Sequence, residues 1–267
     1  MYKLIAIDMD GTLLRNDKTI SSENIAAIKE AVEHNVKIIP ATGRPSKGIK
    51  KYLEQLNLIS DSNYVVSLNG ALVESAKSHR SIYEKLLSLD DIKYIYELGT
   101  KISTNIQVSL KESIITPVPN KYSTGDAILN GIELKIEDFC KLSPDDHIFK
   151  VMFMGDEPVL SKGIDMLPEN IYHKYTVLRS EPYFLEFMNK ATNKWNGVET
   201  AAKNLGIKKS EIICIGDSGN DIHMIKSAGL GVAMGNASNE IKKLSSYVTK
   251  TNEENGVAHV IYKFILK

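Results

Sequence analysis

With 267 residues the chain can bury a full core, and its length exceeds that of a usual single domain by enough to suggest one core domain carrying an insertion. Its 33 basic and 33 acidic residues cancel, which excludes a global field that would draw it onto nucleic acid or an anionic membrane and favours a small-molecule substrate. The only cysteines, Cys140 and Cys214, are far apart, which fits a reducing compartment better than a disulfide framework.

The opening MYKLIAIDMDGT lacks the cationic start, apolar stretch and small-residue cleavage site of a signal peptide, and no apolar run reaches membrane-spanning length. A cytoplasmic protein is expected. Tyr2 to Ile7 is a short apolar run ending in acids, suited to a strand buried on both faces of a parallel sheet. Ser21 and Ser22 offer an N-cap for a helix carrying Ile25, Ile28 and Val32, and Val36 to Ile39 resumes as a second strand. Gly43 and Pro45 punctuate before another helix, and Tyr64 to Leu68 reads as a third strand closing at Asn69-Gly70. Alternating strand and helix predicts an α/β fold, a doubly wound parallel-sheet (Rossmann-like) core.

From about Glu84 the pattern changes to an α+β unit. Helices are expected near Asp90–Leu98, Ser123–Leu129 and Glu157–Met166, and strands at Ser103–Leu110, His147–Met154, Tyr175–Leu178 and Tyr183–Met188. After Asn189 the first grammar returns: helix Lys194–Leu205, strand Glu211–Ile215, helix Asn220–Ser227, strand Leu230–Ala233, helix Ala237–Leu244 and a last helix from Gly256 to Leu266. The expected division is therefore a core of residues 1–83 and 188–267 with an inserted cap of residues 84–187 that closes over the site, excluding water and choosing the substrate.

Ligands of open parallel sheets bind at the carboxyl ends of strands, so polar residues that follow strands are the candidates. Three clusters qualify: Asp8-Met9-Asp10-Gly11-Thr12, Thr42-Gly43-Arg44, and Gly216-Asp217-Ser218-Gly219-Asn220-Asp221. So many carboxylates at one edge need a cation among them, and all-oxygen ligation points to magnesium (Mg2+). A cation with hydroxyl, amide and lysine or arginine donors around a carboxylate is what phosphoryl transfer requires, with Asp8 as nucleophile and Asp10 as proton donor and acceptor. An EF-hand reading fails, because Gly11 stands fourth in its loop rather than sixth. The histidines, His223 included, have no paired ligand spacing, so zinc is not expected.

Asp8-x-Asp10-Gly11-Thr12-Leu13, Thr42-Gly43-Arg44, Lys194 and Gly216-Asp217-x-x-Asn220-Asp221, in that order, resemble the haloacid dehalogenase superfamily of phosphatases over nearly the whole chain. The stretch from Asn193 through Val232-Ala233-Met234 to Gly256-Val257-Ala258 resembles its Cof-type sugar phosphatases. The resemblance implies that Asp8 is nucleophile and metal ligand, Asp10 acid/base and a ligand through its backbone carbonyl, and Asp217 the third ligand, with Asp221 supporting them. It also implies phosphate contacts from the Met9 backbone, Thr42, Gly43, Lys194 and the Asn220 amide.

Where the family has glycine after its lysine, this chain has Trp195, with glycine only at Gly197, and Lys190 competes with Lys194 for the lysine role. The expected activity is magnesium-dependent hydrolysis of a small phosphorylated metabolite, a sugar phosphate foremost, through an aspartyl-phosphate. A phosphomannomutase-type mutase is the rival enzyme, distinguished by withholding inorganic phosphate. A catalytically quiet phosphosugar-binding protein is the rival without chemistry, and it predicts a lost motif residue, whereas none is lost.

Overall fold

The computed structural model describes residues 1–266. The chain divides into two compact units: residues 1–43, 50–83 and 193–267 form one, and residues 44–49 and 84–192 the other.

The first unit is built on a parallel five-stranded sheet in the order Tyr247–Val248, Leu230–Ala233, Ile212–Gly216, Leu4–Ile7, Lys37–Pro40. Leu4, Ile5, Ala6 and Ile7 are all fully buried, which accounts for the unbroken apolar run: both faces of this central strand are covered. Leu4, Ala6, Ile39, Ala41 and Cys214 pack with Val198, Ala201 and Ala202 of the helix Lys194–Asn204 and with Met224 of the helix Ile222–Ser227. Helix Ser22–Glu33 starts where the serines predict, with the Ser21 hydroxyl accepting from the Asn24 amide, and it packs against Gly256–Phe264. Register matters most for the site. Ile7 lies opposite both Ile215 and Pro40, so three neighbouring strands end level and release Asp8, Thr42 and Asp217 at one edge.

The expected third parallel strand behaves differently. Tyr64–Ser67 turns back through Leu68, Asn69 and Gly70 and pairs antiparallel with Leu72–Ser75, forming a three-stranded sheet with Ser81–Glu84. Its tie to the parallel sheet is a single bridge, Ala41 to Val66. Asn-Gly is a strong turn signal because both residues accept positive φ, so a hairpin takes precedence over a helical crossover.

The second unit holds a six-stranded sheet in the order Tyr175–Glu181, Phe184–Asn189, Lys150–Met154, Asn105–Ser109, Ser113–Thr116, Glu133–Ile136. Only its last pair, Ser113–Thr116 with Glu133–Ile136, is parallel. Ile106, Val108, Val151, Phe153, Leu185 and Phe187 form one face of that sheet and bury Ile92 and Ile95 of the helix Leu89–Lys101 and Leu160 of Glu157–Asp165. The strands Ser113–Thr116 and Glu133–Ile136 are too short for their alternation to stand out in sequence.

Candidate active site

Asp8 leaves the central strand with its amide bonded to the Ile215 carbonyl at 3.0 Å and its side chain almost wholly buried. Lys194, at the first turn of the helix Lys194–Asn204 and fully buried, places Nζ 2.5 Å from Asp8 Oδ1 and 2.7 Å from Asp221 Oδ1. Asp221 Oδ2 accepts the backbone amides of Asp217 at 3.0 Å and Ser218 at 3.1 Å. Asp221 thus shapes the loop and anchors the lysine, both its oxygens being engaged. Asp217 Oδ1 accepts the Thr12 hydroxyl at 2.8 Å.

One ammonium therefore faces three carboxylates, and ligand oxygens of Asp8, Asp217 and Asp221 lie within 4.8 Å of one another, the group suited to a metal ion among the described residues. The imbalance appears in the protonation equilibria. Burial first, and then the Asp221 charge, push the Asp8 carboxyl well above its ordinary value despite Lys194. The same two causes in the same order raise Asp217. Burial alone would lower the Lys194 ammonium, but Asp221 and then Asp8 outweigh it and raise its pKa. Two further observations fit a cation. Asp8 Oδ2 is buried without a hydrogen-bond partner. Gly11 also keeps space clear, because a Cβ there would stand 2.5 Å from Asp217 Oδ2.

The remaining candidates sit around this centre. Met9 is fully buried, and its carbonyl accepts the Leu14 amide at 2.8 Å. Asp10 is more open and takes the Lys18 ammonium at 2.8 Å on Oδ1. Thr42 is buried and its amide reaches the Val66 carbonyl at 2.8 Å, while Gly43 lies against the Asn69 carboxamide. Asn220 stands in the short turn Gly219–Asp221 and donates from Nδ2 to Asn69 Oδ1 at 3.0 Å.

Lys190, the competing lysine, bonds the Tyr172 carbonyl within the second unit, so Lys194 is the lysine that meets Asp8. Trp195 does not crowd this lysine. Its ring joins the apolar cluster with Val66, Val73 and Val198, and close packing falls two residues later, where a Cβ on Gly197 would stand 2.6 Å from Val66 Cγ1. Thr12, Lys18 and Asn69 also belong to the neighbourhood of the site, and sequence reasoning assigned them no role. Thr12 stood inside the quoted motif. Asn69-Gly70 stood at a strand end, the position that marks site loops in such sheets.

The sequence profile of the haloacid dehalogenase-like hydrolases matches residues 5–261, and the chain belongs to that family. It is 38% identical to YxeH of Bacillus subtilis (strain 168), a phosphatase in name, over 100% of this chain and 99% of that protein. It is 33% identical to the 5-amino-6-(5-phospho-D-ribitylamino)uracil phosphatase YcsE of the same organism, covering 99% and 96% of the two chains. Among solved structures, a haloacid dehalogenase-like hydrolase from Bacteroides thetaiotaomicron matches with 33% identity and a TM-score of 0.88, over 99% of this chain and 100% of that one. The subclass IIB sugar phosphatase BT4131 matches with 25% identity and a TM-score of 0.80 over 98% of each chain.

Proposed function

We propose that this chain, a haloacid dehalogenase-type phosphatase, hydrolyses a small phosphorylated metabolite through an aspartyl-phosphate on Asp8, with magnesium as its cofactor and a sugar phosphate as the first substrate to test. The observation that carries this reading is the division of labour on the Asp8 carboxylate. Lys194 holds Oδ1, and Oδ2 is buried with no partner of its own. An oxygen so placed is a nucleophile fixed in direction by the ion pair on its twin.

Asp8 Oδ2 attacks phosphorus, the bond to the leaving oxygen breaks, and Asp10 gives that oxygen its proton. Asp10 then takes a proton from water, whose oxygen attacks the phosphorus of the aspartyl-phosphate, releasing inorganic phosphate and restoring the Asp8 carboxylate. Lys194 and backbone amides at Met9, Gly43 and Asn220, with the Thr42 hydroxyl, stabilise the charge on the transferring group. Magnesium held by Asp8, the Asp10 carbonyl and Asp217 would supply the positive charge that three carboxylates and one lysine lack. Thr12 orients Asp217 for that task.

Phosphate release tests the reading directly. Purified protein is assayed with magnesium or chelator against sugar phosphates, the phosphoribitylaminouracil substrate named for YcsE, pyridoxal phosphate and nucleotides, with Asp8→Asn as control. Magnesium-dependent release that the variant lacks supports the assignment and ranks the substrates. Turnover of a phosphosugar into its isomer without release would replace it with a mutase.

A further inference from the structure

We infer that Asn69 is a positioning residue of this site, its buried carboxamide tying the Asn220 turn to the Thr42-Gly43 loop that its backbone amide holds, so that both form one phosphate cradle. The inference rests on the phosphatase reading above, because it assigns those two loops to phosphate.

Leu68, Asn69 and Gly70 have φ values of 51°, 58° and 90° in succession. A leucine is rarely left-handed, and three such residues in a row persist only where surrounding contacts dictate the conformation. Those contacts run to three of the segments that line the site. The Asn69 amide donates to the Thr42 carbonyl at 2.9 Å. Its Oδ1 accepts Asn220 Nδ2 at 3.0 Å, and its carboxamide fills the space where a Cβ on Gly43 would approach within 3.1 Å. At Gly70 the chain runs so close to the segment leading into Lys194 that a Cβ would collide with the Asn193 carbonyl. The turn thus joins the Thr42, Asn220 and Lys194 segments, and Asn69 is its one side chain shown bonding across them, only 3% exposed.

Neither Asn69 oxygen nor nitrogen needs to touch phosphate for this role. The Asn220 turn places a backbone amide, and the same three residues carry Asp221, which anchors Lys194. Releasing the turn from Asn69 lets that amide drift, and a displacement of under an ångström weakens oriented hydrogen bonds sharply.

The first variant is Asn69→Gly, because glycine tolerates the left-handed backbone while the carboxamide is removed, and the cycle below separates the lost bond from the added backbone freedom. Asn220→Ala removes the other half of the bond, and Asn69→Gly with Asn220→Ala completes a double-mutant cycle. The readouts are KM and kcat with p-nitrophenyl phosphate in magnesium, the inhibition constant of inorganic phosphate, its dissociation constant by calorimetry, and the melting temperature. Asn69→Gly is expected to weaken phosphate binding and raise KM about tenfold, the scale of one buried hydrogen bond, while kcat falls less and folding is retained. The double variant should be no worse than Asn69→Gly alone, since both remove one interaction. Additive losses, or wild-type KM and phosphate binding in a folded Asn69→Gly protein, overturn the inference while leaving the phosphatase reading intact. Wild-type protein that neither binds nor releases phosphate overturns the reading, and the inference with it.

Discussion

Each unit of the molecule buries a lysine against carboxylate, and the two arrangements differ in charge balance. In the second unit Lys150 and Glu186, on adjacent strands, meet at 3.1 Å, and the Ser180 hydroxyl donates to the same carboxylate oxygen at 2.8 Å. One charge answers one charge. In the first unit Lys194 answers Asp8 and Asp221 while Asp217 stands beside them, and Asp8 Oδ2 is left without a partner. The ion-paired groups are buried in both places, so the contrast lies in charge count. A balanced pair is finished structure; an unbalanced cluster is a site completed by a cation and an anionic substrate.

The largest effect that separates them is on turnover. Asp8→Asn should reduce phosphate release by roughly 10⁴-fold or more, the scale of losing a nucleophile, with the fold unchanged by circular dichroism because the volume hardly changes. Undiminished release would move the nucleophile elsewhere. Asp217→Ala should shift the magnesium titration of activity to higher concentration, and an unshifted curve would assign the cation to other ligands.

Stability comes next, and there the two lysines should look alike when cut singly. Lys150→Met strands Glu186, and Lys194→Met strands Asp8 and Asp221, so each should lose about 3–5 kcal/mol in urea unfolding of the chelated protein. They diverge when carboxylates are removed as well. Lys150→Met with Glu186→Leu should return to within about 1 kcal/mol of wild type or exceed it, since an apolar pair of similar volume carries no desolvation cost. A double variant as unstable as Lys150→Met would show that the Ser180 bond or the shape of Glu186 matters more than the ion pair.

Most of this contrast was legible in sequence on one side only. Asp8, Lys194, Asp217 and Asp221 could be placed because a strand ending in acids marks a sheet edge and because their order resembles a known family. The registers Ile7 to Ile215 and Ile7 to Pro40 then supply what spacing suggested. Lys150 and Glu186 were not legible, because their pairing depends on the register between two cap strands, and a one-residue slip would turn either side chain to the opposite face. The hairpin Tyr64–Ser67 with Leu72–Ser75 was missed for a related reason: a strand bordering a parallel sheet looks the same in sequence whether its next partner is parallel or antiparallel. Asn69 escaped as a consequence, since it gains its role only once that hairpin brings it to Asn220.

The effect most specific to charge imbalance is the dependence of stability on pH. Well below pH 4 the Asp8 and Asp217 carboxyls are protonated in folded and unfolded chains alike and cost nothing. As pH rises the unfolded chain releases these protons while the metal-free fold retains them, so the folded state binds more protons and its stability falls, by up to about 1.4 kcal/mol per pH unit for each group, until the raised folded values are passed. Magnesium bound there would take the place of those protons, so melting temperatures measured from pH 5 to 9 should decline in chelator and flatten in excess magnesium. Asp8→Asn, which cannot ionise, should lose part of the decline and outlast wild type in chelator at the alkaline end, although it has lost an ion-pair partner of Lys194. Parallel pH profiles for wild type and variant would mean that Lys194 already neutralises Asp8 in full and that the cluster needs no further cation. The same series run on Lys150→Met with Glu186→Leu should leave the magnesium dependence of the slope unchanged, because neither residue belongs to the carboxylate cluster suited to a metal.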